Sequence, residues 1–250
     1  MNHLILTHEQ ADFDAVAAQL ALWRMNPEAL PVLPRRRNRN VRAFLTLYGD
    51  DLPFVEPDDA PRAGIERVTL VDTQTFATLR GTTKRTPVHI IDHHPLAKPL
   101  PEHWTAALAE TGATTTVLVE ELEDQARRLT LPPATLLLLG IYEDTGSLTY
   151  NSTTPRDARA AGWLLEQGAS LSVAADFLNH PLSPDQYALY ERLLEAMEIH
   201  EINGQRVAVA SAEAGERVEE ISTLAHKLRD LYDPAALFLL AGFRDHAQLV

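Results

Sequence analysis

The sequence predicts an α/β protein: a mostly parallel sheet flanked by helices, then a helical linker and a partial, smaller α/β unit. Three observations carry this. Short apolar, β-branched runs alternate with helical patterns over the first two-thirds of the chain, as βαβ units require. After Thr154 the pattern turns helical. Beyond Asn203-Gly204, a turn signal, it returns to strand, helix and strand. The expected division is a first domain over 1–182, a connector helix over 183–200 and the partial unit over 201–250.

Residues 4–6 form a short apolar run, hence a buried strand, and 15–25 read as a helix. A second strand is expected over 30–33 and a second helix over 38–48. The runs at 68–71 and 88–91 are rich in Val and Ile, and each ends at an aspartate. A helix over 113–128 carries apolar residues at helical spacing. Pro132 and Pro133 then open 134–141, apolar enough for a buried helix. Thr154-Pro155 starts a helix with proline at its favoured first position. Ser183-Pro184 starts another, long and amphipathic, running to about residue 199. A strand over 206–210, a helix over 218–232 and a strand over 236–243 complete the pattern. Asp245-His246 reads as a tight turn, and the chain then stops inside an apolar strand, which predicts a longer multidomain protein; an ordinary edge strand is the alternative.

Composition narrows the function classes. With 45% hydrophobic and 23% charged residues, wholesale disorder is excluded. Zero cysteines exclude disulfides, thiolate metal sites and a thiol nucleophile. No apolar run approaches the roughly 18–20 residues that span a bilayer, and the first residues lack the basic flank of a signal peptide, so no membrane partner and a cytoplasmic location are expected. The net charge of −13 counts against a nucleic-acid or phosphate partner. Bound divalent metals, however, invert the sign of a local site. Arg35, Arg36, Arg37, Arg39 and Arg42 also fall in one run, either a solvated loop entering a helix or an anion-binding edge.

The strongest signal is a set of acids and imidazoles, each just beyond an apolar segment. His8 follows the first strand, with Asp12 and Asp14 close behind; Asp72 follows 68–71, Asp92-His93-His94 follows 88–91, and Asp144 follows 134–141. In an open parallel sheet the carboxyl ends of the strands form the ligand crevice, so four separate segments converge on one edge. Carboxylates held close raise one another's pKa unless a cation neutralises them. Oxygen and imidazole donors without sulfur suit manganese, magnesium, cobalt or zinc. Six such ligands are too many for one tetrahedral zinc and suit two ions, an arrangement that supports phosphoester hydrolysis. Taken singly, Asp12, Asp14 and Asp72 also read as helix caps and Asp144-Thr145-Gly146 as a turn.

These residues resemble the DHH phosphoesterase superfamily, which includes RecJ-type exonucleases, nanoRNase/pAp phosphatases, cyclic-dinucleotide phosphodiesterases and family II inorganic pyrophosphatases. The resemblance covers roughly 1–180 in four ordered parts: His8-x-x-x-Asp12-x-Asp14-Ala15, Val71-Asp72-Thr73, Asp92-His93-His94, and Gly140-Ile141-x-x-Asp144-Thr145-Gly146. Gly112-Ala113-Thr114-Thr115 is similar to the family's Gly-Ala-Thr helix start. The resemblance implies two divalent metal ions, manganese foremost, with magnesium or cobalt as the other candidates. It implies that His8 and Asp12 hold one ion, that Asp14, His93 and Asp144 hold the other, and that Asp72 bridges them. It further implies that Asp92 orients a neighbouring histidine, and that His94 contacts the substrate phosphate and helps protonate the leaving group.

Two departures stand out. Gln10-Ala11 replaces the family's frequent Asn-Pro, with both following aspartates kept. The Gly-Gly-Gly-His loop of the nuclease members' smaller substrate domain and the Ser-Arg-Lys-Lys-Gln element of the pyrophosphatases are both absent, so 201–250 resembles a truncated substrate domain of the DHHA1 type. The stretch from Gly146 to Pro155, with the following helix to Gly168-Ala169, resembles the front module of bacterial proteins that continue into CBS and tRNA nucleotidyltransferase/poly(A) polymerase-like domains. The resemblance thus implies a two-metal phosphoesterase that hydrolyses phosphate esters of small nucleotides or short oligonucleotides, RNA among them, through a metal-bound hydroxide. The alternatives are a nucleotide- or RNA-binding regulatory module of a larger protein, and an inorganic pyrophosphatase; a homodimer is a candidate assembly.

Overall fold

The computed structural model describes residues 2–76, 79–83, 85–178, 181–215, 218 and 221–250. They divide into two compact units, Met1–His180 and Pro181–Val250.

The first unit is built on β1 (Asn2–Leu6), β2 (Leu30–Pro31), β3 (Ile65–Val71), β4 (Val88–Asp92) and β5 (Trp104–Leu108), in the order β2-β1-β3-β4-β5. Every pairing is parallel. The register matters for function. Leu6 pairs with Leu70 and Leu70 with Ile90, so His8, Asp72 and Asp92 each stand two residues beyond one row.

Six helices complete the unit: α1 (Phe13–Met25), α2 (Arg39–Tyr48), α3 (Thr114–Asp124), α4 (Leu131–Thr145), α5 (Pro155–Glu166) and α6 (Leu171–Leu178). Helix α1 packs against both α3 and α4. Its run of small residues (Ala15, Ala17, Ala18 and Ala21, all fully buried) permits that close approach. Gln19, buried on the same helix, donates through Nε2 to the carbonyls of Ile5 (2.9 Å) and Val32 (2.8 Å), pinning α1 to the sheet. Leu136, Leu137, Leu138 and Leu139 are all fully buried, as expected of a helix apolar all round. On this side Ile5, Val71 and Ile91 join the helices in one core. On the other face Leu4, Leu6, Leu70 and Ile90 pack under loop residues including Val55, Phe76, Leu79 and Leu100.

The second unit carries α7 (Pro184–Glu195), β6 (Glu198–Ile202), β7 (Gln205–Glu213), α8 (Ile221–Tyr232), β8 (Ala236–Gly242) and β9 (Ala247–Leu249). Its strand order is β6-β7-β8-β9, with β7 and β8 parallel and both flanking pairs antiparallel. Leu189 and Leu193 of α7 join Leu224, Leu228 and Leu239 in its core.

Several boundaries differ from the sequence expectation. The helix expected over 183–199 stops at Glu195 and is followed by β6. The helix expected over 113–128 ends at Asp124. The helix expected over 218–232 is seen from Ile221; residues 219 and 220 lie outside the described residues. Strands β5 and β6 were not expected at all. Both are mostly or wholly exposed edge strands, so neither carries the alternating apolar signal that marks a half-buried strand. Among the described residues no helix is long and apolar enough to cross a membrane.

Candidate metal centre

Three chain reversals at the carboxyl edge of the sheet aim the acids and imidazoles inward. After β1 the chain passes His8 and turns at Gln10 (φ 62°) into α1. Asp12 is the N-cap of that helix and accepts from the Ala15 amide at 3.1 Å; Asp14 sits in its first turn, fully buried. Asp72, one residue past β3, adopts φ 56°, a left-handed conformation that aspartate tolerates better than most residues. Helix α4 delivers Asp144 in its last turn and ends at Gly146 (φ 55°). A side chain at Gly146 would run into the Tyr150 ring, so glycine is required there for space as well as conformation.

Two imidazoles are oriented in the same way. His8 Nδ1 lies 2.9 Å from the Glu9 carbonyl, and His93 Nδ1 lies 3.1 Å from the Thr111 carbonyl. A carbonyl only accepts, so Nδ1 carries the hydrogen in both rings and each neutral imidazole turns the Nε2 lone pair to the other side. There each meets carboxylates. His8 Nε2 is 3.3 Å from Asp72 Oδ2 and 3.9 Å from Asp12 Oδ1. His93 Nε2 is 3.3 Å from Asp144 Oδ2 and 3.7 Å from Asp72 Oδ1; it is buried and has no hydrogen-bond partner.

Lone pairs facing carboxylates repel unless a positive charge lies between them, and the directions in which the site's pKa values are displaced reflect the same demand. Contact with Asp72 raises the His8 pKa to about 9. Burial pulls His93 down, but Asp144, Asp72 and the Thr111 carbonyl outweigh it and leave His93 at about 9. Burial, then Asp72 and Asp144, pushes Asp12 up to about 7, and the same causes drive Asp14 well above the carboxylate range. Asp144 is also raised, chiefly by burial and against the opposing pull of His93. Each of these shifts holds a proton where a cation would do the same work.

Ligand atoms of His8, Asp12 and Asp72 lie within 4.8 Å of one another, as do those of Asp14, His93 and Asp144, and those of Asp72, Asp92, His93 and His94. The six ligands expected from the sequence therefore fall into two neighbouring groups, and Asp72 contacts histidines of both. The donors are oxygen and imidazole nitrogen only, and together with the orphaned His93 Nε2 they fit divalent cations.

His94 is held differently. Its Nδ1 lies 2.8 Å and its backbone amide 3.1 Å from Asp92 Oδ1, with Asp92 itself 1% exposed. The imidazole side chain is 57% exposed, so its Nε2 is presented outward. Gln74 donates to Asp92 Oδ2 at 2.9 Å and to the carbonyls of His94 and Pro95, fixing the loop.

Sequence reasoning missed this supporting layer. The amides of Thr114 and Thr115 at the start of α3 both donate to the Asp14 carboxylate at 2.8 Å, a helix N-terminus holding an anion. The Thr114 hydroxyl donates to Asp72 Oδ1 at 3.0 Å, and Glu143 accepts from the Phe13 amide. The Gly-Ala-Thr start was visible, but its backbone donors carry no residue identity. The arginine run is a loop entering α2. Arg35 pairs with Asp58 (2.5 Å) and Arg37 with Glu56 (2.6 Å), while the Arg36 carbonyl accepts from the Gln10 and Ala11 amides and steadies the loop beside Asp12.

Several known proteins are similar to this chain. The chain is 38% identical over 253 residues to the A-adding tRNA nucleotidyltransferase of Geobacter sulfurreducens; the match takes in 99% of this chain and 29% of the relative's length. It is 27% identical over 200 residues to the bifunctional oligoribonuclease and PAP phosphatase NrnA of Thermus thermophilus, 78% of this chain and 59% of that protein. The solved structure of an exopolyphosphatase-related protein from Bacteroides fragilis matches 99% of this chain and 78% of its own, with a TM-score of 0.75 at 15% identity, a likeness of fold. Residues 2–141 match the family described as DHH family, N-terminal domain, and the chain belongs to that family.

Proposed function

We propose that this chain is a divalent-metal-dependent phosphoesterase whose substrates are phosphate esters of small nucleotides or short oligonucleotides. The observation that carries the proposal is the pair of histidines, each locked through Nδ1–H on a backbone carbonyl and each aiming Nε2 into a cluster of carboxylates. His8, Asp12 and Asp72 would hold one cation, and Asp14, His93 and Asp144 the other, with Asp72 shared. Bound divalent cations neutralise the acids, polarise phosphoryl oxygens and activate water.

The chain's own residues supply the rest. Asp92 keeps the His94 ring oriented so that Nε2–H faces the substrate. As water oxygen bonds to phosphorus and sheds a proton to solvent, the ester P–O bond breaks, the Nε2 proton passes to the departing oxygen, and solvent returns a proton to His94 afterwards. The α3 amides keep Asp14 in place throughout. Manganese is the proposed ion, and the relative NrnA, named for oligoribonuclease and PAP phosphatase activity, supports the substrate class.

The test is metal content by mass spectrometry with a manganese-supplemented panel of pAp, a 5′-phosphorylated dinucleotide, a longer RNA and pyrophosphate. The expected result is close to two ions per chain and cleavage of a nucleotide substrate. Preference for pyrophosphate would move the assignment to a pyrophosphatase. A second reading has a specific observation behind it: the chain spans only 29% of the length of an A-adding tRNA nucleotidyltransferase. Two bound metals with no cleavage of any substrate would favour a nucleotide- or RNA-binding module of a longer protein.

A further inference from the structure

The loop-covered face of the sheet holds a cavity of about 360 Å³ that the proposed chemistry does not use. Leu6 of β1 and Leu70 of β3 lie at its floor, and Phe76, Leu79, Pro34 and Pro61 form walls. A cavity of this size sits at the lower end of the roughly 300–1,000 Å³ range of small-molecule sites. It is too small for an oligonucleotide and of a size for a single mononucleotide. The floor is close to the metal centre, because His8 and Asp72 each follow a floor residue by two positions, about 7 Å along a strand.

The rim carries more cations than acids: Arg35, Arg62 and Arg80 line the cavity together with Asp58 and Glu9. Arg35 is already paired with Asp58, while Arg62 donates to the Asp58 backbone carbonyl at 3.4 Å and attracts the Asp58 carboxylate at longer range. Among the described residues neither Arg62 nor Arg80 makes an ion pair. The backbone nevertheless forces these two together. Gly81 (φ 97°) lies so close to Arg62 that a Cβ there would stand 2.6 Å from the Arg62 carbonyl carbon. Close packing that only glycine allows thus brings two guanidinium-bearing residues to one mouth, in a chain of net charge −13. With Asp58 taken up by its pair with Arg35, the guanidinium groups of the mouth still outnumber its carboxylates, an excess that an anion joining Arg62 and Arg80 relieves, and guanidinium is suited to phosphate.

We infer that this cavity is a mononucleotide site: Leu6, Leu70 and Phe76 take a nucleobase, and Arg62 with Arg80 takes its phosphate. The choice of a nucleotide among aromatic anions rests on the phosphoesterase proposal; the cavity and its rim do not.

The test is calorimetric titration of the full chain with AMP and CMP, with adenosine and inorganic phosphate as controls, after EDTA treatment and after manganese loading. AMP or CMP should bind the EDTA-treated chain and the Asp72→Ala variant alike. Arg80→Glu, which reverses the rim charge, and Ala60→Trp, which fills the cavity, should each weaken binding at least tenfold while leaving metal content unchanged. The two variants act by different means, so misfolding of one, seen in its melting curve, leaves the other decisive. Binding that appears only with manganese and vanishes in Asp72→Ala would place the nucleotide at the metal centre and overturn the inference. So would unchanged affinity in the folded variants, or no binding at all. Retained binding in a chain that hydrolyses nothing would instead sink the phosphoesterase proposal and keep the site as one for aromatic phosphates.

Discussion

Asp157 offers the sharpest test of how the centre is held. It is fully buried, and its carboxylate takes the Gly112 amide on both oxygens (3.0 and 2.9 Å), the Thr116 hydroxyl (2.5 Å), and both the amide and hydroxyl of Thr154 (2.7 Å each). These donors outweigh burial and hold its pKa below the ordinary carboxylate value. Asp157→Asn keeps the shape, removes the charge and turns an NH2 group toward one set of donors. Hydrogen bonds to a charged group contribute about 1.5–3 kcal/mol against about 1 for neutral ones, so weakening four of them by about 0.5–1 kcal/mol each, the lower half of that difference because the amide oxygen still accepts, costs about 2–4 kcal/mol. For a unit of this size that is a drop in Tm of about 5–15 °C.

The effect should also reach the metals, because the segment tied down by Asp157 carries the Thr111 carbonyl that orients His93 and the Thr114 and Thr115 amides that hold Asp14. Outer-layer partners of this kind are worth about 10–100-fold in metal affinity. Calorimetry of metal-free protein and manganese titration read the two effects separately. The sign with pH is fixed as well. A depressed carboxylate pKa contributes stability that is complete above the unfolded value near 3.9 and is lost as pH falls through the folded value. The gap between wild type and variant should therefore be constant above about pH 5 and narrow in stronger acid. A variant that melts within about 1 °C of wild type and binds manganese equally would refute the reasoning.

Other perturbations give distinct signatures. Asp72→Ala removes the one carboxylate shared by both histidine groups, so bound metal should fall below one ion per chain by mass spectrometry; near-normal content would contradict a shared ligand. His94→Gln should retain metal and lower turnover by about 10²–10⁴, the usual range for a positioned proton donor; lost metal would show that His94 is itself a ligand. Gly140→Ala would place a Cβ 2.7 Å from both Ala17 Cβ and Thr115 Oγ1, costing about 1–3 kcal/mol as overpacking and shifting Asp144, with loss of both stability and metal affinity expected in denaturation and manganese titrations. His3 is bonded to Thr69 and lies beside Asn26, and burial, then Arg67 and His89, lowers its pKa from 6.5 to about 4. Because its neutral form is the folded one, stability is complete above about pH 6.5 and falls as pH drops toward 4. The loss is of order 1–2 kcal/mol after allowance for solvent screening, and it should shrink in His3→Gln when denaturant midpoints at pH 7.5 and pH 5 are compared.

The acids and imidazoles of the candidate site were legible because each is chemically distinct and each follows a strongly patterned apolar segment. Once the four runs were recognised as parallel strands and a buried helix, topology alone brought His8, Asp72 and Asp92 to one edge, and the observed register puts them two residues past a common row. The edge strands were not legible for the converse reason. Trp104–Leu108 and Glu198–Ile202 bury little, so they leave no hydrophobic pattern; the first pairs in parallel with Val88–Asp92 across an intervening loop, and the second is the exposed arm of a hairpin turning at Asn203-Gly204.

The cradle of the site lies between these extremes. Thr154-Pro155-Arg156-Asp157 is readable as a capping box, and the structure shows both of its reciprocal hydrogen bonds. Nothing in that tetrapeptide announces that the same carboxylate also grips the amide of Gly112, 45 residues earlier. The grip needs Gly112, since a Cβ there would meet Asp157 Oδ2 at 2.9 Å and Thr145 Cγ2 at 2.6 Å. Thr145 directly follows Asp144, and Gly112 directly follows Thr111. The start of α5, the N-terminus of α3 and the end of α4 therefore meet at one glycine. The cluster of acids at the sheet edge is built on a second, non-local carboxylate that, among the described residues, makes no hydrogen bond to any of the expected ligands, and it is held there by backbone amides and threonine hydroxyls that sequence motifs do not name.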